Sequence, residues 1–300
     1  MRGTDVDGSE QNSRWTKHRL MAALPSWLFT LVAGVSYVRC AVLARVLPGA
    51  RRIRYRDKLP QKRKVLTSSP ARVIGRTGND IWLPRGCRNV SIEVTGRGNR
   101  VRIGNLTRST GQIRIRIEGS GNVVDIEHFE IGGPADIRLS GDNGTLTIGS
   151  LWVREGLTIM NGTEIRGETA FGARCTIGKG CTAESLKIYN LHADGVVQIG
   201  DGCMIAPEVV IMNSDSHPIY DRKTGAMINR PTRPLVIGAH SWLATHAVIL
   251  KGAQLAAGTV VGYNATVSGR FEEENTVLAG CPARVVRRDV DWAAYGKGFV

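Results

Sequence analysis

The chain of 300 residues carries 40 Lys+Arg against 26 Asp+Glu, a net charge of +14, with 36 glycines and 6% aromatic residues. Glycine lies well above its average share of about 7% and recurs at intervals, which implies many turns joining many short strands. The charge does not mark a nucleic-acid partner, because residues 1–64 hold 14 Lys+Arg against 4 Asp+Glu; +10 of the +14 lies there and the body is close to neutral.

Residues 1–66 form a basic N-terminal extension. Within it, residues 20–38 are uncharged for 19 positions, close to the roughly 20 that a membrane-spanning helix needs, but Pro25, Ser26, Gly34 and Ser36 weaken a span. Leu20, Leu24, Trp27, Leu28, Leu31, Val35 and Val38 fall on one stripe of a helix, so an amphipathic helix is predicted. Basic residues flank it from Arg14 to Arg56, which suits peripheral contact of residues 14–56 with an anionic membrane. The alternative is an oligomer-packing helix followed by a solvated basic linker. Acids in the first ten residues and an exit through SYVRC do not fit a secretory signal, so the segment is expected to be retained.

Residues 67–160 read as β-solenoid coils. The phrases GNDIWL at 78–83, GNRVRI at 98–103 and GNVVDI at 121–126 recur at solenoid spacing, with a looser copy, DNGTLTI, at 142–148. Gly and Asn are expected to supply positive-φ corners. Ile113, Ile115 and Ile117 alternate with arginines, the period of a half-buried strand.

Residues 161–285 tighten to a period of six. Ile165, Phe171 and Ile177 form one run, Ile199, Ile205 and Ile211 a second, and Ile237, Leu243, Ile249, Leu255, Val261 and Val267 a third. Three hexads make one triangular coil, with the aliphatic residue stacked inside and a small residue at the corner. Cys175, Cys181 and Cys203 take small places and read as core. The six cysteines, with Cys40, Cys87 and Cys281, show no CxxC and no zinc-like pairing with histidine, which fits a reducing compartment. The step from Ile211 to Ile237 breaks the register, so a loop at 212–234 leaves the coil, carrying Asp215, His217, Tyr220, Asp221, Arg222 and Arg230. Residues 286–300 form a C-terminal tail.

SDSHPIYDRKTGAMIN, then PLVIGAHSWLATHAVILKGAQLAAGTVVGYNATVS, then AGCPARVVR resemble the hexapeptide-repeat acetyltransferases of the galactoside, maltose, xenobiotic and surface-polysaccharide type. The resemblance covers residues 165–292. It implies an all-β fold, a left-handed parallel β-helix, assembled as a homotrimer with active sites between neighbouring subunits. It further implies acetyl-CoA as donor, no metal, and His217 as the base that takes the proton of a sugar hydroxyl. An imidazole with an ordinary pKa near 6.5 suits that task at neutral pH. The family's direct transfer in a ternary complex uses a backbone N–H at the oxyanion. Asp215 is expected either to hold the imidazole in one tautomer or to form a local Asx turn.

The same resemblance places Trp242, Thr245 and Tyr263 along the donor path, with Trp242 as a corner plug the alternative. Trp-Leu-Ala replaces the family's Trp-Ile-Gly, so Ala244 adds a methyl there. Ser268 and Arg270 stand where relatives carry a Ser/Thr-Lys pair. Arg284 and Arg287, with Arg288, either meet the donor's phosphates or are solvated surface. The acceptor is expected to be a hydroxylated, anionic envelope glycan, no nucleic acid is expected as partner, and the enzyme is expected in the cytoplasm, peripheral on the inner membrane face. Competing readings are a non-catalytic scaffold, a γ-type carbonic anhydrase-like zinc enzyme, for which the His-x4-His spacing is missing, and a nucleotide-sugar transferase, for which residues 1–160 lack a Gly-rich phosphate loop.

Overall fold

A computed structural model of the chain describes residues 69–107, 110–162 and 171–294; the helix predicted at 20–38 and the hexad residue Ile165 lie outside them. The described residues are all β, in 22 strands of one curled sheet. Strands pair in parallel with the strand one full turn later, the arrangement of a β-helix. In the last coils Val236 pairs with Gln254, Trp242 with Val260 and Val248 with Thr266, each 18 residues on.

The turns trace a prism with three faces. The first face carries Val90–Thr95, Ile113–Glu118, Ala135–Ser140, 157–161, 186–190, Val209–Met212, Val248–Leu250 and Thr266–Val267. The second carries 100–103, 123–126, 145–148, Arg174–Ile177, Val196–Ile199, Leu235–Ile237 and Gln254–Leu255. The third carries 128–131, 150–153, 181–183, Met204–Ile205, Trp242–Leu243, Val260–Val261 and Val277–Gly280. Stacking runs on through 160–161, because 157–161 pairs both backward with 135–139 and forward with 186–190.

Alternation fills the core. Ile113, Ile115 and Ile117 are fully buried while Arg114 and Arg116 stand outward, half-buried. The third hexad run, Ile237 through Val267, is likewise buried at every place. Fully burying such a side chain is worth about 1.5–3 kcal/mol relative to leaving it exposed. Cys175, Cys181 and Cys203 are buried in this core as free thiols; burial pushes Cys175 up to about 12, so it stays a neutral packing residue.

One sequence expectation is corrected and a second is refined. Phe171 is 55% exposed, although the hexad count places it inward with Ile177. It bridges to Asp142 on an edge, and Gly172 at φ 70° turns the chain there, so the inward series begins only at Ala173. Glycine and asparagine both supply positive-φ corners, with Gly78, Gly98 and Gly121 at 75°, 69° and 70° in the Gly-Asn phrases and Asn143 at 55° in the looser copy, but the asparagines that follow those three glycines do not. These asparagines turn inward instead. Asn99 Nδ2 donates to Asn79 Oδ1 at 3.0 Å and Asn122 Nδ2 to Asn99 Oδ1 at 3.1 Å, a ladder buried between the first and second faces. Gly119 on this edge must be glycine: at φ 130°, a Cβ would lie 2.0 Å from Gly141 O.

The ladder continues down the same edge through Asn161, Asn190 and Asn213, with Asn190 Nδ2 donating to Asn161 Oδ1 at 2.7 Å and Asn213 Nδ2 to Asn190 Oδ1 at 2.9 Å. At Asn213 the chain leaves the prism. The turn containing this excursion is 38 residues long, from Val210 to its partner Val248, against 18 in the next. At the other end, Ala283–Arg287 folds back antiparallel on Val277–Gly280 and covers the last sheet edge.

Candidate active site

The loop between residues 213 and 234 is built from its anchors. Buried Ser214 accepts from Ser216 N–H through its Oγ at 2.9 Å. Ser216 then turns left-handed at φ 63°, and His217 N–H donates back to Asp215 O at 2.7 Å, closing a three-residue turn. A non-glycine residue there costs roughly 1–3 kcal/mol and persists only where its surroundings fix it. This turn pushes His217 out to solvent. Its imidazole makes no hydrogen bond to another described residue.

The rest of the loop is a hairpin, with Ile228 N–H donating to Ile219 O at 2.8 Å and Tyr220 bridging Met227. Asp221 closes its tip by accepting from Lys223 N–H at 2.9 Å and Thr224 N–H at 2.7 Å. Those hydrogen bonds, Thr224 first, hold the Asp221 carboxyl below its ordinary value. Ile219, Tyr220 and Ile228 stay exposed.

Asp215 faces neither the imidazole nor its own turn. Its Oδ2 forms an ion pair with Lys251 Nζ and accepts from Asn229 Nδ2 at 2.8 Å. Burial pushes its pKa up, but the hydrogen bonds of Lys251 and Asn229, with the charge of Lys251 and of His192, outweigh that and hold it below its ordinary value. A depressed carboxyl pKa contributes stability at pH above the unfolded value of about 3.9, lost as pH falls through the folded one. Acidification below the usual carboxylate range should therefore loosen the loop first. Hydrogen exchange near the Asp215 turn, at residues 215–219, should rise there ahead of the coils, and in Asp215→Asn it should be raised already at neutral pH and lose this pH dependence; equal protection of loop and coils in acid would count against it.

The donor candidates fall in separate places. Trp242 stands outward on the third face between Met204 and Val260. Thr245 and Tyr263 share the edge between the third and first faces, where Asn264 N–H donates to Thr245 O at 3.0 Å and the exposed Tyr263 ring meets His246 edge-on at 5.5 Å. Ser268 and Arg270, both exposed, lie instead on the edge from which the His217 loop leaves, and Arg270 is paired with Glu272. Arg284 and Arg287 are exposed on the returning strand Ala283–Arg287. One chain thus brings His217, Ser268 and Arg270 to one edge, and Trp242, Thr245 and Tyr263 to another face and edge.

Sequence reasoning passed over Asn229 and Lys251, which hold the loop, and the C-terminal strap. In the strap Trp292 stacks on His240 at 4.5 Å, tilts against Trp242 at 6.2 Å and donates its indole N–H to His240 O at 2.8 Å, while Asp291 meets His240 Nε2 at 3.0 Å. No local pattern joins residues about fifty positions apart, so only the coil register reveals these contacts. Beside the return limb of the loop, a cleft of about 300 Å³ is lined by His192, Asp194, Arg230 and Arg233 among others.

No family model matches the chain. It is 32% identical over 197 residues to the polysialic acid O-acetyltransferase of Neisseria meningitidis, spanning 66% of this chain and 86% of that protein. It is also 33% identical over 136 residues to the galactoside O-acetyltransferase of Escherichia coli strain K12, spanning 43% of this chain and 63% of that one. The crystal structure of the polySia specific acetyltransferase NeuO shares the fold, with a TM-score of 0.55 at 23% identity over 70% of this chain and 85% of that one. By fold, by motif order and by these relatives, the chain belongs to the hexapeptide-repeat O-acetyltransferase family and is an acyltransferase.

Proposed function

We propose that this enzyme transfers an acetyl group from acetyl-CoA to a hydroxyl of a sugar or cell-surface polysaccharide, with His217 as general base, at the interface between subunits of a homotrimer. The observation that carries this is the presentation of His217: an exposed imidazole on a short strained turn, held at the rim of a rigid coil. The acceptor oxygen attacks the thioester carbonyl carbon as the imidazole takes its proton. A backbone N–H stabilises the oxyanion, the C–S bond breaks, and the imidazolium returns the proton to the departing thiolate.

The trimer explains the separation of the donor candidates, since a neighbour's Trp242, Thr245 and Tyr263 can face the His217 loop where one chain's own cannot. The outward residues Val210, Met212, Val248 and Leu250 of the first face, half-buried and apolar, and the exposed Ile219, Tyr220 and Ile228 of the loop give such an interface its material. Exposed Arg222, Lys223 and Arg230 on the loop favour an acidic glycan, in keeping with relatives named for polysialic acid. An acyl-CoA donor favours a cytoplasmic enzyme, and residues 14–56 would hold it to the inner membrane face.

The test is thiol release from acetyl-CoA with polysialic acid, a galactoside and neutral glucans as acceptors. Acceptor-dependent release, fastest with the acidic polymer and weakened by salt, is the expected result; release at one rate with and without any glycan would refute the acceptor class.

A further inference from the structure

Three side chains from separate parts of the chain meet behind His217. Asp215 comes from the departing limb of the loop, Asn229 from the returning limb, and Lys251 from the corner of the following coil. Asn229 is buried and fully used: its Oδ1 accepts from Ile219 N–H at 2.8 Å, and its Nδ2 donates to Asp215 Oδ2 at 2.8 Å and to His217 O at 2.9 Å. Lys251 Nζ pairs with Asp215 Oδ2 and donates to Asn229 O at 3.1 Å. The next residue, Gly252, ties the two ends of the loop: its N–H donates to Asn213 Oδ1 at 3.4 Å and its carbonyl accepts from Arg233 Nε at 2.6 Å.

His217 is therefore held through both of its backbone groups. Its N–H is bonded to Asp215 O and its carbonyl to Asn229 Nδ2, and both partners are fastened to Lys251. We infer that Lys251 and Asn229 are positioning residues of the transfer reaction, which hold the strained turn at Ser216 and so present the His217 imidazole to the acceptor hydroxyl in one orientation.

This deepens the proposed function and rests on His217 being the base. The chemistry of the pair suits the task. Lys251 brings donors on a stem rising from the rigid coil, and the Asp215 carboxylate accepts from Lys251 and Asn229 at one oxygen. Partly exposed ion pairs contribute little to global stability, whereas a displacement of about 1 Å at a reacting group can cost about 100-fold in rate. The Lys251 arm of the clamp should therefore be visible in turnover and nearly invisible in melting.

The experiment uses the full chain and the variants Lys251→Met, Lys251→Arg, Asn229→Ala and His217→Ala. Turnover and KM for acetyl-CoA are measured with polysialic acid, a galactoside and water as acceptors. The 15N-histidine spectrum is recorded alongside, with the His217 ring assigned by its loss in His217→Ala. Lys251→Met and Asn229→Ala should each lower kcat by about 100-fold with KM for acetyl-CoA within about two-fold and broaden the His217 ring signal, with the Tm nearly unchanged in Lys251→Met and lowered in Asn229→Ala, whose buried amide leaves partners unsatisfied. Lys251→Arg should restore most of the turnover and the sharp signal. Wild-type turnover and ring spectrum in both Lys251→Met and Asn229→Ala, with His217→Ala inactive, would overturn the clamp and leave the base standing. Parallel losses of Tm, kcat and KM that Lys251→Arg does not restore would reduce both residues to a structural role and overturn it as well. A His217→Ala enzyme as active as its parent would remove the base itself, and the clamp with it.

Discussion

Replacing His217 by alanine should lower acetyl transfer by about 100- to 10,000-fold, the range expected when a general base is removed from a hydroxyl acceptor. Stability should barely change, because the exposed imidazole makes no hydrogen bond to another described residue and truncation leaves no buried group unsatisfied. KM for acetyl-CoA should hold, since the imidazole is proposed to act on the acceptor hydroxyl and not to bind the donor. Turnover and Tm measured on the same preparations check both halves. A fall in Tm matching the fall in rate would mean that the ring supports the loop instead of the chemistry.

Asn190→Leu should have the largest effect on folding. Asn190 is fully buried; it donates to Asn161 Oδ1 at 2.7 Å, to Arg174 O at 3.1 Å and to Gly195 O at 3.0 Å, and accepts from Asn213 Nδ2 at 2.9 Å. Leucine has similar volume and none of these bonds, so the partners are stranded away from water. Each buried group left unsatisfied costs about 1–3 kcal/mol, and the loss should reach roughly 3–5 kcal/mol in total. Asn190 also holds Asn213, where the loop leaves the coil, so activity should fall at temperatures well below the melting transition. Denaturant unfolding and a temperature series of activity decide this; a leucine variant as stable as the parent would show that packing, not the ladder, fixes this edge.

The fold was legible wherever one inward residue repeats at a fixed step. The hexads from Ile237 to Val267 could stack in only one way, and the excess length before Leu235 announced the loop with His217 in it. Legibility failed at corners. Phe171 satisfies the count of six and is exposed, because Gly172 resets the direction of the chain, and the asparagines of the Gly-Asn phrases read as turn formers yet spend their amides on one another inside the prism. At the loop, the motif pointed to His217 but not to the side chains that hold its turn. Lys251 lies 36 residues from Asp215 and looks like one more corner lysine until the register of Val210 with Val248 brings that corner beneath the loop. The strap residues Asp291 and Trp292 were hidden for the same reason, since a partner about fifty residues away leaves no trace in local spacing.

The most direct test follows the acetyl group itself. With acetyl-CoA labelled at the carbonyl carbon and polysialic acid as acceptor, mass spectrometry and carbon NMR of the recovered glycan should find the label in an alkali-labile ester, formed by the parent enzyme and all but absent with His217→Ala. Label that stays on the thioester, or that reaches the glycan equally fast without the imidazole, would contradict the assignment of this loop as the place where the acceptor loses its proton.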